Sequence, residues 1–185
     1  RAHLGVVLGR MGRYDEAAQT YGAVVPPPEA AALIGYRHGL AELAAGRCAA
    51  AARLFDEALA SRPDSGELIQ AVARTDASCD GVEPARRARA LELAGQLFAA
   101  RRDAAHATTL AMALAATGDF DRAVDLQEQL LASARASGEP ARIDWHEQLL
   151  VRYRGGRAAD RAWPAGDAVF RPSVDGAGPD RAGSR

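Results

Sequence analysis

Gly12 and Gly46 stand 34 residues apart, each closing a helix-compatible stretch and opening an alanine-rich one. Around the first glycine the chain reads Leu4-Gly5, Leu8, Gly12-Arg13-Tyr14-Asp15-Glu16-Ala17 and Tyr21. Around the second it reads Gly39, Gly46-Arg47, Ala51, Phe55, Ala58 and Pro63. A period of this length with a glycine at the turn marks an array of helical hairpins, because one hairpin cannot bury its apolar face without a neighbour. Composition agrees. Apolar residues make up 48% of the chain and aromatics 5%. No stretch approaches the ~18 uninterrupted apolar residues of a membrane span. Valine, isoleucine and threonine nowhere alternate with polar residues over a useful length, which removes the strand signal.

The residues around these glycines resemble the tetratricopeptide repeat family, which puts small residues where two antiparallel helices approach and large ones where neighbouring hairpins interlock. Gly5, Ala17 and Val24 take the small places in one repeat and Gly39, Ala51 and Ala58 in the next. Ala111, Ala123 and Leu130 take them in a third match centred on Gly118. Leu8, Tyr21, Phe55 and Leu114 fill interlocking places. Gly118 lies 72 residues past Gly46, so one overlong repeat must occupy the interval. Its inter-helix segment, Asp76 to Pro84, is longer than the single-glycine turn of its neighbours, which makes it degenerate. Asp64 is expected to cap its first helix with Glu67 reaching back, and Pro84 to open its second. Leu91, Ala94, Leu97 and Phe98 keep helical spacing there.

The resemblance implies an all-α, right-handed α-solenoid of antiparallel hairpins, similar to the C-terminal end of a bacterial array. Repeats are expected at about residues 1–28, 29–65, 66–103 (degenerate) and 104–138. Gly138 and Pro140 stop and restart a helix, and Ile143, His146, Leu149, Leu150 and Tyr153 form one apolar stripe. Residues 140–154 therefore read as a capping helix that completes a repeat domain over 1–154. Beyond it, residues 155–185 are rich in Gly, Pro, Arg, Asp and Ala, and are expected to be a disordered tail in which Trp163 and Phe170 make only transient contacts. The family register puts Arg1 inside a first helix. It thus implies a preceding repeat or domain, and leaves Leu4, Val7 and Leu8 without a neighbour.

Chemistry-bearing constellations are missing from the sequence. His146-Glu147-Gln148-Leu149-Leu150 approaches a zinc-protease motif but has Leu150 where the second histidine belongs. His3, His38, His106 and His146 fall on separate helices. Gly155-Gly156-Arg157 lacks the lysine and hydroxyl of a phosphate loop. No catalytic residue, metal site or cofactor is therefore assigned. The formal net charge is −1, and the densest basic cluster, Arg86, Arg87 and Arg89 with Arg101 and Arg102, reads as a solvated helix face, which argues against nucleic acid as a partner. Cys48 and Cys79 lack the spacing of a zinc or redox motif and are expected as free, partly buried thiols. The register puts Cys48 at the start of one repeat's second helix and Cys79 at the end of the next repeat's first, which keeps a disulfide open.

What the resemblance implies about function rests on the concave groove lined by first helices. Its register names Ala2, Val6, Gly9 and Arg10, then Leu33, Tyr36, Leu40 and Leu43, and later Thr108, Met112 and Ala115. The groove is expected to bind a partner through Val6, Arg10, Leu33, Tyr36, Leu40, Leu43, Thr108 and Met112. Ala2 and Val6 stand in two places where chaperone-binding members of the family hold a terminal carboxylate, so that clamp is not expected. The implied function is a protein-interaction scaffold for a peptide segment of another protein. The alternative is a C-terminal appendage that positions or dimerises a larger bacterial enzyme, such as a sulfatase or glycosyltransferase, with the partner then being another domain of its own chain. A third possibility is that the chain's own tail fills the groove.

Overall fold

The computed structural model describes residues 2–172. Among them are helices α1 (Ala2–Arg10), α2 (Tyr14–Gly22), α3 (Pro28–Ala44), α4 (Cys48–Ser61), α5 (Gly66–Ser78), α6 (Pro84–Ala100), α7 (Ala104–Ala116), α8 (Phe120–Ser137) and α9 (Pro140–Arg154), and no strand. A short 3-10 turn follows at Ala168–Phe170. The fold class is the expected all-α one. The chain forms two compact units, the first holding residues up to Pro63 together with the segment from Ala165, the second running Asp64–Pro164.

The two glycines that set the period perform the same local task. Gly12 and Gly46 adopt φ of 73° and 80°, a left-handed conformation that favours glycine, and so end α1 and α3. The N–H of the following residue then reaches back to the helix, Arg13 to the Leu8 carbonyl at 2.9 Å and Arg47 to the Glu42 carbonyl at 2.8 Å. That closure satisfies carbonyls that the helix end would otherwise leave bare. Pro28, Pro84 and Pro140 open α3, α6 and α9, where a missing N–H costs nothing. In α5 the cap is Ser65, whose hydroxyl accepts from the Leu68 N–H at 3.4 Å, and not Asp64 as expected. The serine stands one residue nearer the helix, in the position from which an oxygen meets the third N–H.

In the first unit the repeat shows in its packing. A Cβ added to Gly5 would stand 2.7 Å from the Tyr21 ring, and one added to Gly39 would stand 2.5 Å from the Phe55 ring. Each hairpin thus presses an aromatic face flat against a bare helix backbone. Gly39→Ala is expected to destabilise by about 1–3 kcal/mol through overpacking, even though alanine is the better helix former. Urea unfolding checks it, and a midpoint at or above that of the parent would contradict the close approach.

The second unit solves the equivalent problem differently. At the places matching Gly39 and Phe55 it carries Ala111 and Gln127, both fully buried. α9 packs on α8, and Gln127 Nε2 donates to the His146 carbonyl at 3.0 Å and to His146 Nδ1 at 2.9 Å. The capping helix buries Leu149, Leu150 and Tyr153 as its stripe implied, together with Trp145, which the stripe omitted. Arg86, read as solvated, is instead tied to a buried carboxylate: its Nη2 donates to Asp76 Oδ1 at 2.8 Å and its Nε at 3.1 Å.

Three further expectations change. Cys48 opens α4 and Cys79 closes α5, and both are disulfide-linked, so neither is the free thiol expected. Leu8 is buried in a cluster with Ala17, Tyr21 and Ile34, while Leu4 and Val7 are exposed and are joined by Met11. Packed structure also extends past residue 155, with Ala159, Ala162 and Trp163 buried in the second unit. The tail is poor in apolar groups on average, but those it has fall on matching surface. Its remainder from residue 173 on lies outside the described residues.

Candidate functional site

Six of the residues expected to line a groove lie in the first unit. Val6 is fully buried, Tyr36 and Leu40 are buried, Leu33 and Leu43 are half-buried, and Arg10 is exposed. Tyr36 packs its ring 6.0 Å from that of Phe55, which makes it a core residue as much as a surface one. In the second unit, Met112 is fully buried in the core cluster, and Thr108 turns its hydroxyl to the Ala104 carbonyl of its own helix at 2.7 Å.

The first unit holds an apolar seat, and that seat is filled. Phe170 meets Tyr14 edge to face, ring centroids 6.1 Å apart and planes at 62°. A Cβ on Gly9 would lie 3.6 Å from the Phe170 carbonyl oxygen and 3.9 Å from Pro172 Cδ. The space left among Gly5, Gly9, Tyr14, Leu40, Phe170 and Pro172 is about 10 Å3, no more than one water would need. The turn is shaped locally by Asp167, whose carboxylate accepts the Val169 N–H at 2.8 Å. None of the three residues of the 3-10 turn is fully buried. The segment fits closely yet lies shallow.

The second unit holds its own stretch of tail through a buried arginine. Arg74 on α5 is 5% exposed. Its Nε donates to Thr109 Oγ1 at 2.9 Å, its Nη2 to the Ala105 carbonyl at 3.0 Å and its Nη1 to the Ala162 carbonyl at 3.3 Å. The guanidinium also lies 5.2 Å from the centroid of the Trp163 ring. A buried arginine is tolerated when several acceptors and an aromatic face surround it. Ala159 joins the core beside Tyr153 and Leu149, so this stretch is part of the fold.

Among the described residues His146 is the strongly perturbed base. Burial, with the positive charges of Arg142 and Arg74, pushes its pKa down to about 4. Burial likewise raises that of the Tyr153 phenol. Gln127 occupies the Nδ1 of His146. Among the described residues no group of three or more His, Cys, Asp or Glu could hold a metal ion. A cleft of about 430 Å3 beside α9 is lined by Asp144, Glu147, Gln148, Arg152, Asp160 and Arg161 with Trp145 and Val151, and two of its opposite charges, Arg152 and Asp160, pair at 2.9 Å.

Trp163 and Phe170, expected to make only transient contacts, are instead packed. The available signal was two aromatics in a tail otherwise nearly free of large apolar groups.

Residues 104–137, which span α7 and α8, match the family model of the tetratricopeptide repeat. The solved structure titled MamA AMB-1, a tetratricopeptide-repeat protein, is similar in fold with a TM-score of 0.55 and 19% identity. The likeness covers 82% of this chain and 81% of that one. No curated protein matches the sequence. Tetratricopeptide folds are typically non-catalytic scaffolds that bind protein partners. No helix among the described residues is long and apolar enough to cross a membrane.

Proposed function

We propose that this chain, a tetratricopeptide-repeat protein, works as a protein-interaction scaffold that takes a partner segment on the face made by α1 and α3. The observation that carries this reading is the seating of Phe170 and Pro172 there, because the face already holds a turn of chain in close contact. Arg10, exposed on α1, is the polar handle beside it. Leu33 and Leu43, half-buried on α3, extend the apolar surface, and Val6, Tyr36 and Leu40 support it from below. Thr108 and Met112 belong to the corresponding first helix of the last hairpin. The repeat domain is read as residues 1–154, with hairpins at 1–28, 29–65, 66–103 and 104–138 and the cap at 140–154. The protein is not itself an enzyme in this reading, and no cofactor is assigned.

The test is photo-crosslinking in lysate of the source with a benzophenone amino acid at Arg10, compared with one at Arg53, which is exposed on the second helix α4. Proteins captured from Arg10 and not from Arg53 are expected. Equal capture from both sites would contradict a binding face on α1 and α3.

One observation favours the second reading, in which the module is an appendage positioned within a larger protein. Leu4, Val7 and Met11 are 54%, 46% and 62% exposed along one side of α1 and its end, an apolar stripe at helical spacing. Another domain packed on that stripe would bury it, and substitution by Glu would then disturb assembly of the whole protein and leave this module folded.

A further inference from the structure

We infer that the cleft beside α9 is a second docking site, independent of the α1–α3 face, and that its occupant is an amphipathic helix of another protein with small apolar residues on its contact face and a lysine or arginine in its last turn. The cleft lies where the array opens a fifth hairpin and leaves it without a second helix.

The turn of that hairpin is formed. Gly156 adopts φ of 66°, beside 73°, 80° and 88° at Gly12, Gly46 and Gly118. The N–H of the next residue reaches back in the same way, Arg157 to the Arg152 carbonyl at 3.0 Å and Asp119 to that of Leu114 at 2.9 Å. After Gly12, Gly46 and Gly118 a helix begins at Tyr14, Cys48 and Phe120. After Gly156, residues 157–164 hold no helix. Two positions account for the difference. Gly5, Gly39 and Ala111 precede the earlier turns by the same interval at which Leu149 precedes this one. Ala17, Ala51 and Ala123, all fully buried, follow the earlier turns where exposed Arg161 follows Gly156. At Gly39 even a Cβ would stand 2.5 Å from the Phe55 ring, so that close approach has no room for leucine. An arginine in the facing place would also have to be buried as the alanines are. The chain's own continuation therefore does not cover α9 in the way that Tyr21 and Phe55 cover their first helices.

What is left is a cleft of about 430 Å3, within the ~300–1,000 Å3 range of clefts that take a ligand. Asp144, Gln148 and Val151 follow one another at helical spacing along its α9 wall, and Val151 is 63% exposed, apolar surface that a partner would cover. Trp145 and Leu149 line it as buried groups. A helix from another chain is free of the constraint of Arg161 and meets Leu149 with alanine or glycine, the reverse of the fit between Gly39 and Phe55.

Charge sets the last turn of that helix. Glu147 pairs with Arg135 at 2.7 Å, and Asp160 with Arg152 at 2.9 Å and Arg161 at 3.7 Å. Asp144, exposed near the start of α9, is the lining carboxylate outside these pairs. A helix laid antiparallel to α9, as in a hairpin, ends beside Asp144. A lysine or arginine there meets both the carboxylate and the negative end of its own helix dipole.

The probe is a fluorescein-labelled synthetic helix of about 18 residues, long enough to be helical alone, with alanine and leucine on one face, glutamine on the other and two lysines in its last turn. It is added to the full chain and followed by fluorescence anisotropy. Saturable binding is expected. Asp144→Lys should weaken it roughly fivefold and strengthen binding of a second probe that carries glutamate in place of the lysines. Val151→Glu should weaken both probes roughly tenfold. Both residues are exposed, so circular dichroism should show the fold retained. Arg10→Glu should leave probe binding unchanged.

No saturable binding to the parent would overturn the inference. So would equal binding of the lysine probe to the parent and to Asp144→Lys, or loss of binding with Arg10→Glu, which would move the probe to the α1–α3 face. A concentration-dependent dimer of the parent that Val151→Glu disperses would give the cleft to a second copy of this chain and overturn the assignment to another protein. Capture from Arg10 is a separate readout, so the scaffold reading stands or falls apart from this one.

Discussion

Phe55→Ala is expected to lower the free energy of unfolding by about 3–5 kcal/mol, the range for removing a fully buried aromatic ring. The ring is 0% exposed, lies against the Gly39 backbone and stands 6.0 Å from the Tyr36 ring. Because Gly39 has no side chain to move inward, the vacated volume cannot collapse from the α3 side, which places the cost toward the upper end. Each hairpin of a repeat array also supports its neighbour, so the loss should spread beyond α3 and α4. Guanidinium unfolding followed by circular dichroism measures it. A loss below about 1 kcal/mol would mean that Phe55 does not occupy the contact between α3 and α4.

Acidification should cost the second unit roughly 2–3 kcal/mol through His146. The amide of Gln127 must present its Nε2 to the His146 carbonyl, so its other proton points at Nδ1, which can accept it only in the neutral imidazole. Burial, then the nearby charges of Arg142 and Arg74, bring the pKa from 6.5 to about 4. The unfolded imidazole therefore binds a proton more readily than the folded one. Stability from this group is complete above about pH 6.5 and is lost as the pH falls toward 4. His146→Asn keeps an acceptor and cannot titrate, so the difference in stability between parent and variant should narrow by that amount between neutral pH and pH 4. A pH-independent difference would show that His146 is not held neutral.

The period, the turns and the capping helix were legible because each rests on a local rule. Glycine closes α1 and α3 in the left-handed region, proline opens α3, α6 and α9, and small residues sit where helices touch. What escaped the sequence depends on contacts far apart in the chain. Trp163 is buried because Arg74, 89 residues earlier, presents its guanidinium to it. Ser65 outcompetes Asp64 as a cap through one residue of register. Gln127 stands where the period calls for an aromatic, and only the arrival of α9 gives that amide a partner. The face named by the register contained residues of two kinds, supports such as Val6 and Met112 and surface groups such as Arg10, and sequence spacing does not separate them.

The most direct measurement is a nuclear Overhauser spectrum of the full chain with the aromatic rings of Phe170 and Tyr14 assigned. Cross-peaks between these two rings, and between the Pro172 δ protons and the Gly9 α protons, are predicted, because the segment lies on the α1–α3 face in the free protein. Phe170 and Pro172 at random-coil shifts with no such cross-peaks would contradict the account, since the face would then be open.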